Sequence, residues 1–499
     1  MPSVESTRSS SFAADVLKLV TGTTLAQVIA VLASPLLTRL YGPEAFGFLA
    51  LFTSITSIFG VIACMRYEMT IMLPETDEEA ANLLGLCLLC VAMVSGLTVP
   101  ALYFGGDALL ALFKAPGLDP YLILVPPFVF ISGVFLSLNY WNSRTKHFRR
   151  LSVARVTSSL ATTGTQLGAG FAGYAAGGTL IGANLVGVSV STGVLGGQIW
   201  RDDHALLRRS ISWRGMVDGL KRYKKFPLID SGSALLNTVS WQLPTLLLAA
   251  FFSPKIVGYY SLGFMVLQMP MSLIGGAIAQ VFFQRASETY RQGTLAPLVE
   301  NIFVILLKLS FLPMLLLAVA GKELFIVVFG AAWGEAGVYA QMLSVWVIFW
   351  FISSPLSTVV SVQERLTVGL GTTILSLSTR LLSLMLGGIL GSAILAIALF
   401  SVSGALVYGF TCFVYLRLAG VPMLKALCRG TKSLTFAVLF VIPLIIVKVL
   451  AFPAIIVTFL ASLILITHGL YILLTNPQLR NIVFGLRMQY LSKTGESSE

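Results

Sequence analysis

The chain has 499 residues, of which 56% are hydrophobic and 11% charged, and its mean hydropathy is +0.88. This composition excludes a soluble globular protein and indicates a polytopic membrane protein. The net charge of +12 is also typical of nucleic-acid-binding proteins. Here, however, most basic residues lie in short loops between apolar runs, so membrane topology explains them and no nucleic-acid partner is expected.

Apolar runs of about 20 residues recur along the whole chain, which is the length that a helix needs to cross a bilayer. Strands of a membrane barrel would alternate in polarity over only about 10 residues, and these runs do not. The expected fold class is therefore an all-α polytopic membrane protein with about fourteen transmembrane helices. The predicted spans are 16–38, 45–73, 80–104, 119–141, 151–172, 178–200, 227–252, 256–284, 297–320, 336–362, 366–389, 392–416, 432–449 and 452–475.

Lysines and arginines gather in every second gap between these spans, on the side that also carries both termini. They are Arg8, Lys18, Arg144, Lys146, Arg149, Arg150, Arg201, Arg208, Arg209, Arg214, Lys221, Arg222, Lys224, Lys225, Arg285, Arg291, Arg365, Arg417, Lys425, Arg429, Lys432, Arg480, Arg487 and Lys493. The opposite side carries only Arg39, Lys114, Lys255 and Lys322. Because basic loops stay in the cytoplasm, we predict that both termini are cytoplasmic.

The longest internal gap divides the chain into two parts. We predict an N-lobe of helices one to six (1–200), a basic cytoplasmic linker (201–226) and a C-lobe of helices seven to twelve (227–418). Two additional helices (419–475) and a cytoplasmic tail (476–499) follow.

The basic linker allows two interpretations. Trp213, Met216, Leu220 and Tyr223 fall near one helical face, with arginines and lysines on the other. Such a segment forms a surface helix in the headgroup layer. A solvated basic linker is the alternative, and the sequence leaves both open.

A weak internal repeat links the two lobes. Residues 42–51 and 253–262 both read small-Pro-x-x-x-Gly-aromatic-x-small-Leu at a predicted outer turn. Proline ends or starts a helix, and the shared glycines, Gly47 and Gly258, allow close backbone approach. Their equivalent places in two six-helix halves favour a duplication, with the halves related as parallel repeats.

The sequence shows no nucleotide-binding loop, metal-ligand cluster or hydrolase triad. The predicted outer loops are also too short to hold the chemistry of a membrane glycan polymerase or ligase. We therefore expect a transporter rather than an enzyme, with no catalytic residue, metal or cofactor.

Charged side chains at membrane depth are the sharpest sign of a site, because each costs roughly 2.5–3.5 kcal/mol on insertion scales. Lys308 and Arg380 lie in the middle of their spans, and Arg66 lies in the inner part of span two. We predict that all three line a polar substrate cavity, with helix–helix pairing as the alternative. Lys448, near the outer end of its span, is expected to snorkel to the interface.

Two spans carry polar stripes at helical spacing, which give one face of each helix a polar character. The stripes are Thr373, Ser376, Arg380 and Ser383 in one span, and Asp230, Ser233, Asn237 and Trp241 in the other. Because Asn237 lies on such a stripe, we include it among the predicted cavity residues. Helix packing through small polar residues is the alternative for each stripe.

A cationic cavity suits an anionic cargo. Guanidinium groups fork onto phosphate oxygens and ammonium groups pair with them as point charges, so a pyrophosphate head or an acidic glycan would fit. Glu68 and Asp230, near the inner ends of their spans, are candidates for ion coupling to H⁺ or Na⁺.

Three blocks resemble Wzx-like polysaccharide-lipid flippases of the multidrug/oligosaccharidyl-lipid/polysaccharide exporter superfamily. They are SPLLTRLYGPEAFG at 34–47, RYE and IMLP followed by an acidic run at 66–80, and GYYS through Pro270 continuing to QVFF at 258–283. The resemblance implies two six-helix lobes in a V around a cationic central cleft, here with two C-terminal helices added.

The resemblance also implies a function. Such a flippase moves an undecaprenyl-pyrophosphate-linked oligosaccharide across the bacterial inner membrane by alternating access, for O-antigen (lipopolysaccharide), capsule or exopolysaccharide assembly. Its expected partners are the lipid-linked oligosaccharide, membrane lipids and glycan polymerase machinery. Two alternatives in the same superfamily are a lipid II-type flippase and a cation-coupled drug exporter, although a drug exporter would require acidic cavity residues.

Overall fold

The computed structural model describes residues 3–271 and 276–475, which form helices joined by short turns. These ranges contain no strand, in agreement with the predicted all-α fold class. The helices are α1 (Ser3–Leu40), α2 (Pro43–Ile62), α3 (Asp77–Leu112), α4 (Asp119–Leu122), α5 (Val125–Arg144), α6 (Phe148–Phe171), α7 (Gly177–Ser210), α8 (Trp213–Arg222), α9 (Ser231–Phe251), α10 (Pro254–Pro270), α11 (Gly276–Arg291), α12 (Leu295–Phe329), α13 (Gly334–Leu356), α14 (Thr358–Val362), α15 (Leu366–Ile389), α16 (Ala393–Leu418), α17 (Met423–Val449) and α18 (Ala454–Thr475). Arg480, Arg487, Lys493 and the predicted tail 476–499 lie outside the described residues.

Within the described ranges, 11 helices are long and apolar enough to cross a membrane, or 12 if the bent pair α4–α5 counts as one span. The sequence predicts about fourteen spans. Two helices account for the difference. α6 is rich in serine, threonine and glycine, and α10 has only 17 residues.

The second predicted span, 45–73, is shorter as a helix than the sequence suggests. α2 ends at Ile62, and Met65 and Arg66 adopt positive φ angles of 49° and 62°. A 3₁₀ helix, Tyr67–Met72, follows. Because non-glycine residues rarely adopt positive φ, this break is a specific local feature and sets the position of Arg66.

A proline marks a break in one further predicted span. Span ten, 336–362, divides into α13 and α14 just after Pro355. Proline removes a backbone donor and clashes with the preceding turn, so an apolar run containing it need not be one straight helix.

The chain separates into two compact units. The first contains Met1–Leu262 with Leu384–Ala393, and the second contains Gly263–Ser383 with Ile394–Glu499. Each has its own apolar core, around Trp141 on α5 in the first and around Leu312 on α12 in the second. The division into lobes 1–200 and 227–418 stays a prediction.

The basic linker is largely helical. α7 continues to Ser210, and α8 begins where the Ser212 hydroxyl accepts a hydrogen bond from the backbone N–H of Gly215 at 3.1 Å, as an N-cap does. Met216 packs on the core of the first unit, whereas Trp213 is 68% exposed. The segment Trp213–Arg222 is therefore helical and part of its apolar face packs against protein, whereas its place in the headgroup layer stays a prediction.

The two repeated turns lie against each other within the first unit. A Cβ added to Gly47 would lie 1.8 Å from the carbonyl oxygen of Pro254. A Cβ added to Gly258 would likewise lie 1.8 Å from the carbonyl oxygen of Pro43. The glycine of each turn thus makes room for the first residue of the other turn's helix, a reciprocal contact that only glycine permits.

Candidate functional site

An arginine and two carboxylates meet at the predicted inner end of the first unit. Arg66 lies in the turn after α2, and Asp230 ends the π-helical turn, Phe226–Asp230, that leads into α9. Nε of Arg66 donates to Oδ2 of Asp230 at 2.7 Å, and Nη1 donates to Oε1 of Glu68 at 3.2 Å. The folded chain therefore brings together three of the predicted site residues.

Glu68 is the most deeply buried member of this cluster. Its exposed fraction is 0%, and among the described residues its Oε2 has no hydrogen-bond partner. Burial raises the pKa of Glu68 above the ordinary value of 4.5, although the charge of Arg66 opposes the rise. Glu68 lies between the candidate spans α2 and α3 rather than inside one. Its free carboxylate oxygen is the atom of this cluster best placed to take up a proton.

The guanidinium of Arg66 is fully engaged in this arrangement. Besides the two carboxylates, its Nη2 contacts the sulfur of Met69 at 2.9 Å. An arginine held in this way does not present a free fork to a phosphate. The pairing of Glu68 and Asp230 with a basic residue is thus observed, and a substrate contact by Arg66 stays a prediction.

Asn237 continues the polar stripe of α9 away from this cluster. It is exposed and lies one turn after the exposed Ser233 and two turns after Asp230. At a rise of 1.5 Å per residue, Asn237 is about 10 Å further along the helix axis than Asp230. The first unit therefore carries a polar track from the arginine cluster to Asn237, whereas Ser240 is buried.

Arg380 lies in the second unit, mid-way along α15, and is only 4% exposed. Its guanidinium carbon lies 5.8 Å from the ring centroid of Phe400, a cation–π distance. Trp346 and Tyr408 line the same crevice, which is too tight for a water molecule. Ser376, Thr379 and Ser403 also line it, so the structure holds this cation in a tight crevice of aromatic rings and hydroxyl groups rather than in an open channel.

Lys308 occupies a different part of the second unit. It lines a cavity of about 190 Å³ between α12, α17 and α18, together with Lys432 and His468. Nε2 of the buried His468 lies 3.0 Å from the backbone carbonyl oxygen of Lys308. The cavity and the Arg380 crevice share no lining residue. Among the described residues, Lys308 and Arg380 thus line two different pockets, and a shared cleft stays a prediction.

Lys448 makes specific contacts on α12. Its ammonium donates to the carbonyl oxygen of Val319 and lies 3.2 Å from Oε2 of Glu323. At the other end of the same helix pair, Glu300 binds Lys425 at 2.9 Å and Arg429 at 3.0 Å. Snorkelling was predicted for Lys448, but its ion pair with Glu323 was not.

A protein-family model matches this chain. The model described as "Polysaccharide biosynthesis protein" matches residues 36–338, which is more than half of the chain. The chain belongs to this family. None of the curated protein sequences matches it.

Solved structures of transporters share this fold. The lipid II flippase MurJ in an inward closed conformation matches with a TM-score of 0.71 and 11% identity, covering 91% of this chain and 98% of that chain. An inward-facing multidrug resistance MATE family transporter of the MOP superfamily matches at 0.60 with 15% identity, covering 81% and 98%. A mutant of the Vibrio cholerae MATE transporter VcmN matches at 0.54 with 16% identity, covering 82% and 98%.

These findings agree with the resemblance that the three sequence blocks carry. The chain belongs to the polysaccharide biosynthesis family, is a multi-pass membrane protein and shares its fold with these transporters. The identities are low, so the solved structures support the fold and leave cargo and mechanism to the residues themselves.

Sequence reasoning missed several charged contacts. Arg155 on α6 donates from Nη1 to the hydroxyl of Thr23 at 2.5 Å. Glu300 and His468 were not among the predicted site residues, because one lies at a helix end and the other is a single histidine in an apolar run. One sequence signal could have revealed the Glu300 contacts. A carboxylate lies at the inner end of α12 and basic residues lie at the start of α17, and two parallel neighbouring helices bring such ends together.

Proposed function

We propose that this protein is a flippase that translocates a polyprenyl-pyrophosphate-linked oligosaccharide across the bacterial inner membrane by alternating access. Membership of the polysaccharide biosynthesis family and the fold of flippases and exporters support it. The same reasoning makes it a transporter rather than an enzyme, and extends the proposal to lipopolysaccharide, capsule or exopolysaccharide assembly. Glycan polymerase machinery would act on the exported units.

The observation that carries the choice of an anionic cargo is the state of the charged side chains within the spans and at their ends. Arg380 is a buried cation in the middle of a span. Glu68 and Asp230, the carboxylates that a cation exporter would need in the first unit, are already bound to Arg66. Cations at depth attract a pyrophosphate, and paired carboxylates are poor ligands for a cationic drug.

The physical task explains why a cavity is needed. A pyrophosphate-glycan head loses its water in hydrocarbon, at a cost that its lipid tail cannot offset. A polar track such as the one from Arg66 to Asn237 would receive the head while the tail stays in the bilayer. Arg380, which the structure encloses, would contact the head only when the repeats move, and that movement would expose the head to the other leaflet.

Coupling to an ion is a second element of the proposal. Protonation of Glu68 would neutralise one of the two carboxylates bound to Arg66 and loosen that arm of the guanidinium. The raised pKa of Glu68 favours H⁺ as the coupled ion over Na⁺, because burial makes the charged form costly. Incoming phosphate would then compete for Arg66 with Asp230 alone.

A deletion and complementation experiment tests the proposed function. Loss of the protein should abolish a surface glycan and build up lipid-linked repeat units on the cytoplasmic side, and the wild-type gene should restore export. Sensitivity to cationic dyes should stay unchanged. A strain that keeps its glycan but becomes dye-sensitive would contradict the proposal and support a drug exporter.

A lipid II-type flippase is the second candidate function. The match to MurJ covers 91% of this chain, whereas the two MATE matches cover 81% and 82%. If this protein is such a flippase, a strain that lacks it should accumulate cell-wall precursors and stop growing. Normal growth with a lost surface glycan would exclude it.

A further inference from the structure

The cavity between α12, α17 and α18 has features that the proposed flippase function does not use. Lys308, Lys432 and His468 line it together with the apolar side chains of Phe311 and Phe436. Among the side chains that the structure describes, no carboxylate lies within ion-pairing distance of either lysine. The cavity is thus a cationic pocket with an apolar wall.

The ion pairs of α12 and α17 fix the depth of this pocket. Glu300 pairs with Lys425, and Glu323 pairs with Lys448. The two glutamates are 23 residues apart along α12, or about 35 Å, so the two ion pairs bracket a hydrocarbon core of about 30 Å. Lys308 lies eight residues beyond Glu300, or about 12 Å along the axis. The pocket therefore lies in the half of the membrane nearer to Glu300, the predicted cytoplasmic half.

The direction of the helices brings both ammonium groups closer to that surface. α12 and α17 run parallel, since Glu300 and Glu323 pair in the same order with Lys425 and Lys448. Side chains on a helix lean towards its N-terminus, and both N-termini are at the Glu300 end. Lys308 and Lys432 therefore lean back towards the depth at which lipid phosphates lie.

His468 provides a second, independent indication that this pocket holds a ligand. It is 5% exposed, and its Nε2 donates to the carbonyl oxygen of Lys308 at 3.0 Å. Among the described residues, its Nδ1 has no hydrogen-bond partner. A buried nitrogen without a partner is costly, and because the Nδ1 of a neutral imidazole whose Nε2 donates is an acceptor, a hydroxyl of the ligand headgroup would satisfy it.

We propose that this pocket binds the phosphate headgroup of an anionic glycerophospholipid of the inner leaflet, such as phosphatidylglycerol. The two lysines supply the positive charge, and the exposed side chains of Leu439 and Tyr471 offer an apolar surface to the acyl chains. The volume of about 190 Å³ equals about six water molecules at roughly 30 Å³ each. It suits a small headgroup and is too small for a lipid-linked oligosaccharide.

The inference is independent of the flippase function, because it concerns a lipid that stays in the membrane. The test is native mass spectrometry of the purified full-length protein, titrated with phosphatidylglycerol, phosphatidylethanolamine, polyprenyl phosphate or inorganic pyrophosphate. Wild-type protein should bind phosphatidylglycerol in preference to the other three. The double variant Lys308→Gln/Lys432→Gln should weaken this binding roughly tenfold or more, since two charge-assisted contacts are lost.

Two further variants make the result decisive. Lys255→Gln/Lys322→Gln removes two exposed lysines outside the pocket and should leave binding unchanged. Ser433→Phe keeps every charge but fills the cavity and should weaken binding as the lysine variant does. Equal phosphatidylglycerol binding by wild type and the Lys308→Gln/Lys432→Gln variant would overturn the proposal. A preference for polyprenyl phosphate, or equal binding of free pyrophosphate, would overturn it as well.

Discussion

Two buried ionisable side chains, Arg380 and Glu68, differ in what surrounds their charge. Arg380 lies against the ring of Phe400 in a crevice closed to water. Glu68 shares the guanidinium of Arg66 and has one oxygen without a hydrogen bond among the described residues. Because a charge in a low-dielectric site responds strongly to any change nearby, both residues are sensitive points for substitution.

Arg380→Ala tests the role of the deep cation. We expect surface glycan export per molecule of protein in the membrane to fall roughly tenfold or more, because a charge-assisted contact to phosphate is lost. Arg380→Lys should restore part of it, since a point charge lacks the guanidinium fork. The measurement is surface glycan by lectin binding, normalised to membrane protein by immunoblot. The exposed Arg417→Ala is the matched control. Normal export by Arg380→Ala, or loss of the protein from the membrane, would contradict a contact with substrate.

Glu68→Gln tests the buried carboxyl through pH. Because the folded-state pKa of Glu68 is raised above 4.5, the folded protein holds this proton to higher pH than the unfolded chain does. The stability that Glu68 contributes is therefore largest at low pH and is lost as pH rises through the raised pKa. As pH rises from 4.5 through the raised pKa of Glu68, we expect the thermal midpoint of the wild type to fall more steeply than that of Glu68→Gln. The exposed Glu75→Gln should follow the wild type, and equal slopes for wild type and Glu68→Gln would contradict the assignment.

At the scale of elements, the outer turns of α2 and α10 show how a sequence repeat becomes a contact. Gly47 faces Pro254 and Gly258 faces Pro43, so the two helix starts interlock through their backbones. The Ser54 hydroxyl on α2 adds a hydrogen bond of 2.9 Å to the side chain of Gln242 on α9. The repeated glycines are thus explained by packing between the repeats.

Gly47→Ala is the corresponding prediction. Its Cβ would lie 1.8 Å from a backbone carbonyl oxygen, which cannot move aside as a flexible side chain would. We expect a loss of about 1–3 kcal/mol in stability, seen as a lower thermal midpoint in detergent. Gly42→Ala lies in the same turn with nothing within 4 Å of its added Cβ, and it should be neutral. If both variants melt alike, the interlocked contact is wrong.

Most helices could be predicted from hydropathy, because lipid requires long apolar runs whose backbone is satisfied internally. The break after Ile62 could not, since Tyr67 and Ile71 continue the apolar run while the backbone turns. The sequence predicted which residues belong to the candidate site, but not which of them contact each other. Arg66 and Asp230 are 164 residues apart, and no local spacing reveals that they pair. The separation of Lys308 from Arg380 likewise depends on which helices pack together.

At the scale of the whole molecule, the distribution of basic residues predicts the orientation in the membrane. Cys428 is the exposed one of the five cysteines, so it is replaced first. Single cysteines are then placed at Lys322 and at Arg214 in α8. An impermeant maleimide should label position 322 in intact cells and position 214 only after permeabilisation. Labelling of position 214 from outside would reverse the topology.

Translocation by the purified protein can be measured directly. The protein is reconstituted into vesicles whose membrane holds a polyprenyl-pyrophosphate-linked oligosaccharide, and an impermeant lectin reports the glycan on the outer surface. We predict that vesicles with the protein make nearly all of the lipid-linked glycan accessible with time, and that Arg380→Ala vesicles do so more slowly. Empty vesicles should keep roughly half of it protected. An accessible fraction that is the same with and without the protein would contradict the claim that it is a flippase.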